Sequence, residues 1–405
     1  MKQKFCIPLF LVLVFISACE KDDETADIIK FYGDVRDDIG YSITAGDDGY
    51  YICGQLTEVF RENINHITGS EPKVGLVKTD FDGNMIWKKM LGGKLPGTGS
   101  KVIITGDGLV VCTGQVTDTI SLKTDIYIAV LDKRGLLKNE KIIELEENQT
   151  STDILETQDG FLILGTTDEE VQNTGNQSAD SVFNYAGYQD IILIRIGNDF
   201  DITDILQWGF PWNDIGVAMK KDRNNGYIIA GTTDRYVNKG RKHDGFLLKV
   251  NDAGSITGHA IFNSREDEYA SDMEVLDDGY LVAGTTGSES ELQKPWFARV
   301  PFDIQNPPSY PQIYSNTVSW SVNAITRYRN NFFVAAGNCG SSSSDMLFFI
   351  LDEWGNMADG KQIIMGSTGI QVAHDVVSDD ENYVFAAGKN INETNSMMSF
   401  FKFRF

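Results

Sequence analysis

The chain has 405 residues, of which 41% are hydrophobic and 11% aromatic, so it can bury a sizeable core. Its formal net charge at pH 7 is −23. A surface of that sign repels the phosphate backbone of nucleic acids and anionic lipid headgroups, which disfavours both as direct partners. The apolar runs are short and rich in Val, Ile, Tyr and Phe, which is typical of β-strands.

The N-terminal 27 residues have a different composition from the rest of the chain. Residues 1–18 carry two lysines, a short apolar stretch and then small residues, as an export signal does. The tetrad ISAC (16–19) resembles the lipobox of bacterial lipoproteins, in which the cysteine, here Cys19, is acylated. Acidic residues 20–24 resemble the signal of outward-facing lipoproteins in some Gram-negative bacteria. The sequence therefore predicts a signal peptide (1–18), an acidic tether (19–27) and a lipid-anchored position on the outer membrane, facing outward; a cleaved secretory peptide followed by a linker stays open.

A sevenfold repeat follows. In each copy a polar turn leads into an apolar run that ends in glycine, as in DDGYYICGQ (47–55) and DDGYLVAGTT (277–286). These closing glycines recur about every 50–65 residues, a spacing that indicates a stacked-repeat architecture. They are Gly54, Gly114, Gly165, Gly231, Gly284, Gly337 and Gly388.

Each repeat supplies four predicted strands. A short strand such as 41–45 precedes the turn, the glycine-ended run is second, a run such as VGLVKTD (74–80) is third, and one such as MIWKKML (85–91) is fourth. The last repeat stops after its third strand, whereas an unassigned fourth strand, Ile28–Tyr32, precedes the first. Pairing Ile28–Tyr32 with residues 399–405 closes a ring without a bare edge. The predicted fold is therefore all-β: one seven-bladed β-propeller of four-stranded antiparallel blades over 28–405, closed by the N-terminal strand in the last blade.

Two segments carry a family resemblance: KTDFDGNMIWKKMLGG (78–93) and DDGYLVAGTTGS (277–288). Together with the repeat, they make residues 28–405 resemble bacterial seven-bladed β-propeller repeat proteins of the SBBP type. Blades six and seven depart from the pattern, because Asn330-Asn331 and Glu381-Asn382 replace the Asp-Gly turn. The resemblance implies a propeller and an extracytoplasmic location. It implies no single activity, and no catalytic residues carry over from it.

The connections between second and third strands vary most in length, and the longest covers residues 166–190. In a propeller they emerge on the same face as the fourth-to-first connections, here called the long-loop face; the opposite face is called the short-turn face. Insertions concentrated on one face indicate a binding surface, and aromatic side chains there suit stacking on sugar rings or a protein partner. Packing between blades is the alternative role for these aromatics. The candidate binding residues are Tyr185, Tyr188, Trp212, Arg235, Tyr236, Arg241, Trp296 and Trp320.

The sequence predicts no cofactor and no metal site. The glycine-rich segment 92–101 lacks the lysine of a phosphate loop and joins two strands instead of opening a helix. The GxSxG, HExxH and CxxC motifs do not occur. Acidic pairs such as Asp47-Asp48 fit hairpin turns without a Ca²⁺ ion. Cys53 and Cys112 lie in strand-like runs and are predicted to be small buried thiols.

Two functions from different classes stay open. The first is a non-catalytic binding or scaffolding module that recognises a glycan, a peptide or an envelope protein through its long-loop face and touches the membrane only through its lipid anchor. The second is a polysaccharide hydrolase or lyase with carboxylates, Tyr and Arg at the mouth of the central channel, because a glycosidase needs only two suitably spaced carboxyl groups. The sequence lacks a nucleophile–base pattern, which favours the binding module.

Overall fold

The structure is a computed structural model, and its described residues form 28 strands in seven four-stranded antiparallel sheets. The innermost strands of successive sheets contact one another in cyclic order, so the sheets are blades around a central channel. The predicted seven-bladed propeller is confirmed. The described part of the chain contains no helix with the length and apolarity needed to cross a lipid bilayer. The described residues are 28–33, 37–63, 66–168, 189–209, 213–223, 226–237, 240–262, 266–287, 292–304, 311–329, 331–340, 343–366, 369–379, 383–392 and 395–405.

The strands of each blade run in sequence from the axis outward. Blades one to four contain β2 (Ile39–Gly46), β3 (Gly49–Asn63), β4 (His66–Thr79), β5 (Met85–Leu91); β6 (Gly97–Ile104), β7 (Val110–Thr117), β8 (Thr124–Leu131), β9 (Leu137–Ile143); β10 (Gln149–Thr157), β11 (Gly160–Thr167), β12 (Asp190–Gly197), β13 (Ile202–Trp208); and β14 (Asp214–Asp222), β15 (Gly226–Val237), β16 (Gly240–Asn251), β17 (Ile256–Phe262). Blades five to seven contain β18 (Glu268–Val275), β19 (Gly279–Thr286), β20 (Lys294–Pro301), β21 (Gln312–Ile313); β22 (Trp320–Arg327), β23 (Phe332–Cys339), β24 (Asp345–Asp352), β25 (Met357–Met365); and β26 (Ile370–Ser378), β27 (Val384–Asn392), β28 (Asn395–Phe403), with β1 (Ile28–Tyr32) outermost.

The N-terminal strand closes the ring as the sequence predicts. β1 pairs antiparallel with β28, from Ile28 opposite Lys402 to Tyr32 opposite Met398. Tyr32 is buried, and its hydroxyl donates a hydrogen bond to the Gly83 carbonyl oxygen in blade one, 2.6 Å away. Blade seven is thus built from both ends of the described chain, and β28 is paired on both sides instead of forming the edge of a three-stranded sheet.

The core lies between blades, where each sheet packs against the next. All eight residues of β11 and of β19 are buried, because these second strands have a neighbouring blade on either side. A strand covered on both faces carries a continuous apolar run instead of alternating residues, which explains the glycine-ended runs of the repeat. Cys53, Cys112 and Cys339 are buried free thiols, as predicted for Cys53 and Cys112.

Every inner strand carries a β-bulge opposite the closing glycine of its blade. The strand register shifts just after the residue that pairs with that glycine, for example after Gly40 opposite Gly54 and after Ser151 opposite Gly165. A Cβ atom added to any of the seven closing glycines would lie 1.9–2.4 Å from a carbonyl oxygen of the inner strand. Only glycine tolerates so close an approach of two backbones, so the repeated glycine is the sequence mark of the bulge.

On the short-turn face, cationic side chains link successive blades. A Lys or Arg occupies one equivalent position of the third strand in five blades, and in four of them it donates a hydrogen bond to a carbonyl oxygen in the third-to-fourth connection of the next blade. These bonds join Lys78 to Lys133 (3.1 Å), Arg195 to Asp252 (2.9 Å), Lys249 to Phe302 (3.3 Å) and Lys402 to Phe81 (3.1 Å). In blade five the Arg299 guanidinium instead lies over the Trp354 ring, 3.7 Å from its centroid.

Two connections expected to be loops are extended hairpins. β3 and β4 stay paired as far as Asn63 opposite His66, and β15 and β16 as far as Val237 opposite Gly240. The variable second-to-third connections of blades one and four, residues 56–73 and 232–244 in the sequence, are therefore largely paired strands instead of loops. The backbone hydrogen bonds of the blade continue beyond its core, so both hairpins extend the long-loop face.

Candidate binding site at the channel mouth

The bulged residues of the seven inner strands form a ring around the axis. Each inner strand starts on the long-loop face and bulges in its first half, so this ring surrounds the mouth of the channel on that face. The mouth is a cavity of about 560 Å³, and the bulged residues line it together with Thr98, Gln115 and Ser151. The bulged residues are Tyr41, Ser100, Thr152, Val217, Ser271, Asn323 and His374.

Three of these side chains are held by the next blade along the ring. Each donates a hydrogen bond to the carbonyl oxygen just before that blade's own bulge. The donors are Thr152 Oγ1 to Gly216 (2.8 Å), Ser271 Oγ to Val322 (2.7 Å) and Asn323 Nδ2 to Ala373 (2.8 Å). A hydroxyl that has used its proton keeps its lone pairs, and the Asn323 amide keeps its carbonyl oxygen. The mouth therefore presents fixed hydrogen-bond acceptors.

An aromatic pair completes the ring between blades seven and one. The Tyr41 and His374 rings lie 5.0 Å apart between centroids with an interplanar angle of 47°. Burial lowers the pKa of His374 to about 4, and the nearby Lys389 adds to that effect. The imidazole is therefore neutral at physiological pH, and its Nε2 atom has no hydrogen-bond partner among the described residues.

The carboxylates of the channel lie below the mouth and bind backbone amides. Asp153, Asp272 and Asp375 each follow a bulged residue, and each accepts hydrogen bonds from the next residue and from the inner strand of the next blade. The inter-blade bonds run from Met219 N to Asp153 (2.8 Å), from Ile325 N to Asp272 (2.9 Å) and from Ile43 N to Asp375 (3.0 Å). These carboxylates are part of the framework, and they link blade three to four, blade five to six and blade seven to one.

Two lysines share this lower chamber, which has a volume of about 250 Å³. Lys101 Nζ lies 3.3 Å from Asp375 Oδ2, and Lys220 Nζ lies 3.3 Å from Glu274 Oε1. Burial favours the neutral amine, but Asp375 and other channel carboxylates raise the pKa of Lys101 overall, so it stays charged. Burial raises the pKa of Asp272 to about 6, although both lysines oppose that rise. Charged groups thus pair with one another below an uncharged mouth.

No group of three or more His, Cys, Asp or Glu side chains among the described residues is arranged to hold a metal ion. The described residues that line the mouth include Tyr41 but neither a carboxylate nor an arginine. A hydrolase or lyase site is expected to have carboxylates, tyrosine and arginine at the channel mouth. Of these three groups, the described lining contains only the tyrosine. The carboxylates that line the lower chamber are the three aspartates that bridge blades, and Glu274 beside it is paired with Lys220.

Two of the candidate tryptophans belong to the core instead of the surface. Trp296 is fully buried, lies 5.0 Å from the Phe262 ring and covers the closing glycine Gly284. Trp320 is 6% exposed and lies 5.5 Å from the Phe349 ring. Trp296 fills the space above a glycine beside a bulge, and both rings pack within the core, which is the alternative role considered for the candidate aromatics.

Three other candidates belong to an extended hairpin of the long-loop face. Arg235, Tyr236 and Arg241 belong to the tip of the β15–β16 hairpin, where Tyr236 pairs with Arg241; their side chains lie outside the described part of the structure. The remaining candidates, Tyr185, Tyr188 and Trp212, lie outside the described residues. Binding by these six residues stays a prediction.

The ring of bulged residues is the feature that sequence reasoning missed. Its members share no side-chain property, so no motif marks them. A usable signal exists in six of the seven blades: a small residue such as Gly40, Gly99 or Gly216 stands directly before the bulged position and pairs with the closing glycine, whereas blade six has Val322 there. Aligning the other six first strands on that small residue would have placed most of the ring.

No family model matches the chain, and no curated protein matches it either. Solved structures do match. The α-L-arabinofuranosidase Arb93A of Fusarium graminearum superposes with a TM-score of 0.51 at 9% identity, over 94% of this chain and 98% of that one. The Dos1 propeller gives 0.50 at 7% identity, over 92% and 93%. Acylaminoacyl peptidase of Pyrococcus horikoshii gives 0.46 at 12% identity; the match covers 93% of this chain but 51% of the peptidase, so this chain spans about half of it. The two matches with TM-scores of 0.51 and 0.50 show the fold alone, which is a propeller.

Proposed function

We propose that this protein is a non-catalytic binding module of the bacterial cell envelope that recognises a neutral glycan at the mouth of its channel. The observation that carries the proposal is the ring of bulged side chains. Thr152, Ser271 and Asn323 donate to the next blade and so turn acceptor atoms toward the cavity. A sugar offers many hydroxyl donors, which is the matching chemistry.

The charge of the site argues for an uncharged ligand. Lys101 and Lys220 lie below the mouth and are paired with carboxylates, so they offer no free cation to an anionic ligand. The net charge of −23 further repels anions from the protein as a whole. The Tyr41 ring, beside neutral His374, supplies an aromatic face of the kind on which sugar rings stack.

Glycan-array binding followed by calorimetry tests this proposal with a matched pair of double variants. Thr152→Val with Ser271→Val removes two mouth hydroxyls, and we expect affinity to fall about tenfold or more. Thr44→Val with Thr326→Val makes the same chemical change near the other end of two inner strands, β2 and β22, and should leave affinity unchanged. Blade four already carries Val217 at the bulged position, so valine is compatible with the fold there. Equal affinity of both double variants would contradict the proposal.

The envelope location forms part of the proposal and rests on residues 1–27, which resemble a lipoprotein export signal followed by an acidic tether. Acylation of Cys19 would fix the protein to the outer membrane, facing outward, and make it a lipoprotein with an SBBP-type propeller. Labelling cells with an alkyne-tagged fatty acid checks this directly. We expect the label on the parent chain and its loss in Cys19→Ala, and protease added to intact cells should degrade the parent. A label that survives Cys19→Ala would contradict the anchor.

A second candidate function, polysaccharide hydrolysis, is favoured by Asp272. Burial raises the pKa of this carboxyl to about 6, and a carboxyl group that is protonated near neutral pH is what a general acid requires. Its two oxygens, however, each accept a backbone N–H bond, from Met273 (2.8 Å) and Ile325 (2.9 Å). Product release from polysaccharides by the parent chain, abolished in Asp272→Asn, would replace the binding proposal with this one; we expect no product from either protein.

A further inference from the structure

A second cavity adjoins the mouth at blade four. It has a volume of about 400 Å³, opens near the base of the β15–β16 hairpin and shares Val217 with the mouth. Val217 is the one aliphatic side chain in the ring of bulged residues. Val217 lines both cavities, so the polar ring is interrupted at the residue where the second cavity adjoins the mouth, and the second cavity also reaches Tyr269 and Ala270 of blade five.

The second cavity combines an apolar floor with planar polar groups. Ile215 lines this cavity and is 39% exposed, a large fraction for an aliphatic residue on an inner strand. The Asp234 carboxylate accepts a hydrogen bond from Asn213 Nδ2 (2.8 Å), which fixes both side chains. Such a mixture of a hydrophobic surface and oriented amide and carboxylate groups fits a sugar ring, which has apolar C–H faces and a polar edge.

The opposite wall is built from a fixed aromatic pair. His243 Nδ1 lies 2.9 Å from the Tyr269 hydroxyl, and the two rings lie 4.8 Å apart with an interplanar angle of 31°. Asp267 accepts the backbone N–H of His243 (2.9 Å) and lies 3.6 Å from its ring nitrogen. These contacts hold the imidazole and the phenol edge in place without a ligand, so the cavity is preformed.

Because the two cavities adjoin at Val217, we infer that the ligand is a linear oligosaccharide whose chain runs from the channel mouth across Val217 into the second cavity. The inference rests on the proposed function and adds to it the chain length of the ligand and a second subsite. A compact ligand of one or two sugar units would fill the mouth alone. A longer chain would gain the contacts of Ile215, Asp234 and Tyr269, so affinity should rise with chain length.

Calorimetry with disaccharides and hexasaccharides of the xylan, mannan, cellulose and starch series tests the inference. The parent chain should bind the hexasaccharide of its preferred series about tenfold more tightly than the disaccharide. Ile215→Arg places a long side chain in the second cavity and should abolish that gain while the disaccharide affinity stays. Ile313→Arg, on the outer strand of blade five at 41% exposure, is the matched control and should keep the gain.

Tyr269→Phe provides an independent variant that removes one hydroxyl without adding volume, and it should reduce the hexasaccharide gain while leaving the disaccharide unaffected. Equal affinity for both lengths in the parent chain would contradict a second subsite and leave the mouth as the whole site. A gain that survives in both Ile215→Arg and Tyr269→Phe would overturn it as well. Failure of every glycan at both lengths would contradict the proposed function itself, and this inference with it.

Discussion

The two faces of the ring join the same blades by different means. On the short-turn face, cations of the third strands bond to the turn of the next blade with one repeated geometry. At the mouth on the long-loop face, the side chains that bridge blades are two hydroxyls and an amide, and they differ from blade to blade. Repeated chemistry serves closure of the ring, whereas varied chemistry surrounds a cavity. The comparison therefore separates the surface that holds the protein together from the surface where recognition is expected.

The largest effect expected on stability comes from the closing glycines, on which the shape of the mouth depends. In Gly165→Ala the new Cβ would lie 2.2 Å from the Thr150 carbonyl oxygen, and only movement of backbone could relieve the clash. We expect the free energy of unfolding to fall by about 4 kcal/mol, measured by urea denaturation. Gly106→Ala is the control: its nearest neighbour would lie 3.8 Å away, so a loss above about 1 kcal/mol there would contradict the argument.

The next largest effect should come from one short-turn link that is also a buried ion pair. Lys249 lies 2.9 Å from Asp222, whose side chain is 2% exposed. Lys249→Met leaves that carboxylate buried without its cation and should lower the free energy of unfolding by about 3 kcal/mol in urea denaturation.

Arg195→Met makes the equivalent change in blade three, where the guanidinium bonds to an exposed carbonyl. It should lower the free energy of unfolding by about 1 kcal/mol or less. Similar losses in Lys249→Met and Arg195→Met would show that the buried pair has no special role.

The shifted pKa values of two channel residues predict opposite effects of pH on the stability of the fold. Asp272 has a native pKa of about 6 against its usual 3.8, so its contribution to stability falls as pH rises through that interval. His374 has a native pKa of about 4 against its usual 6.5, so its contribution is lost as pH falls from about 6.5 toward 4. We expect the free energy of unfolding, measured by urea denaturation between about pH 4 and pH 6, to rise more steeply with pH in Asp272→Asn than in the parent. In His374→Gln it should rise less steeply than in the parent. Each variant should differ from the parent by up to about 3 kcal/mol across the interval. Parallel curves would contradict both assignments.

A similarly small effect on stability is expected at the mouth itself. Ser271→Val removes one hydrogen bond to the Val322 carbonyl oxygen. The loss should be about 1 kcal/mol, because blade four already has valine at that position. The urea midpoint of this variant should therefore stay near that of the parent, and a loss as large as that of Lys249→Met would show that the mouth is framework.

Much of the fold could be predicted from the sequence because its strongest signals are local and periodic. The closing glycines, the turn residues and the orphan strand Ile28–Tyr32 are each visible in short segments, and the structure confirms the ring they imply. The site could not be predicted in the same way. Tyr41, Ser100 and Asn323 meet only because seven distant segments converge on one axis, and their side chains share no pattern.

The candidate tryptophans Trp296 and Trp320 show what the position of a residue in the sequence does not reveal. Trp296 and Trp320 stand near loops in the sequence, which suggested exposure, yet both rings are buried between strands. Position along the chain does not give the direction of a side chain. That direction depends on the register of the bulged strand, which one repeat alone does not reveal.

A crystal structure of the protein with its best-binding oligosaccharide tests the central claim most directly. The account predicts sugar density in the mouth, with ligand hydroxyls donating to Thr152 Oγ1, Ser271 Oγ and Asn323 Oδ1 and the chain continuing past Val217. It also predicts no ligand on the short-turn face. Sugar bound at the turns near Phe81, Lys133 or Asp252, with the mouth empty, would contradict the claim that the long-loop face binds the ligand and the short-turn face links the blades.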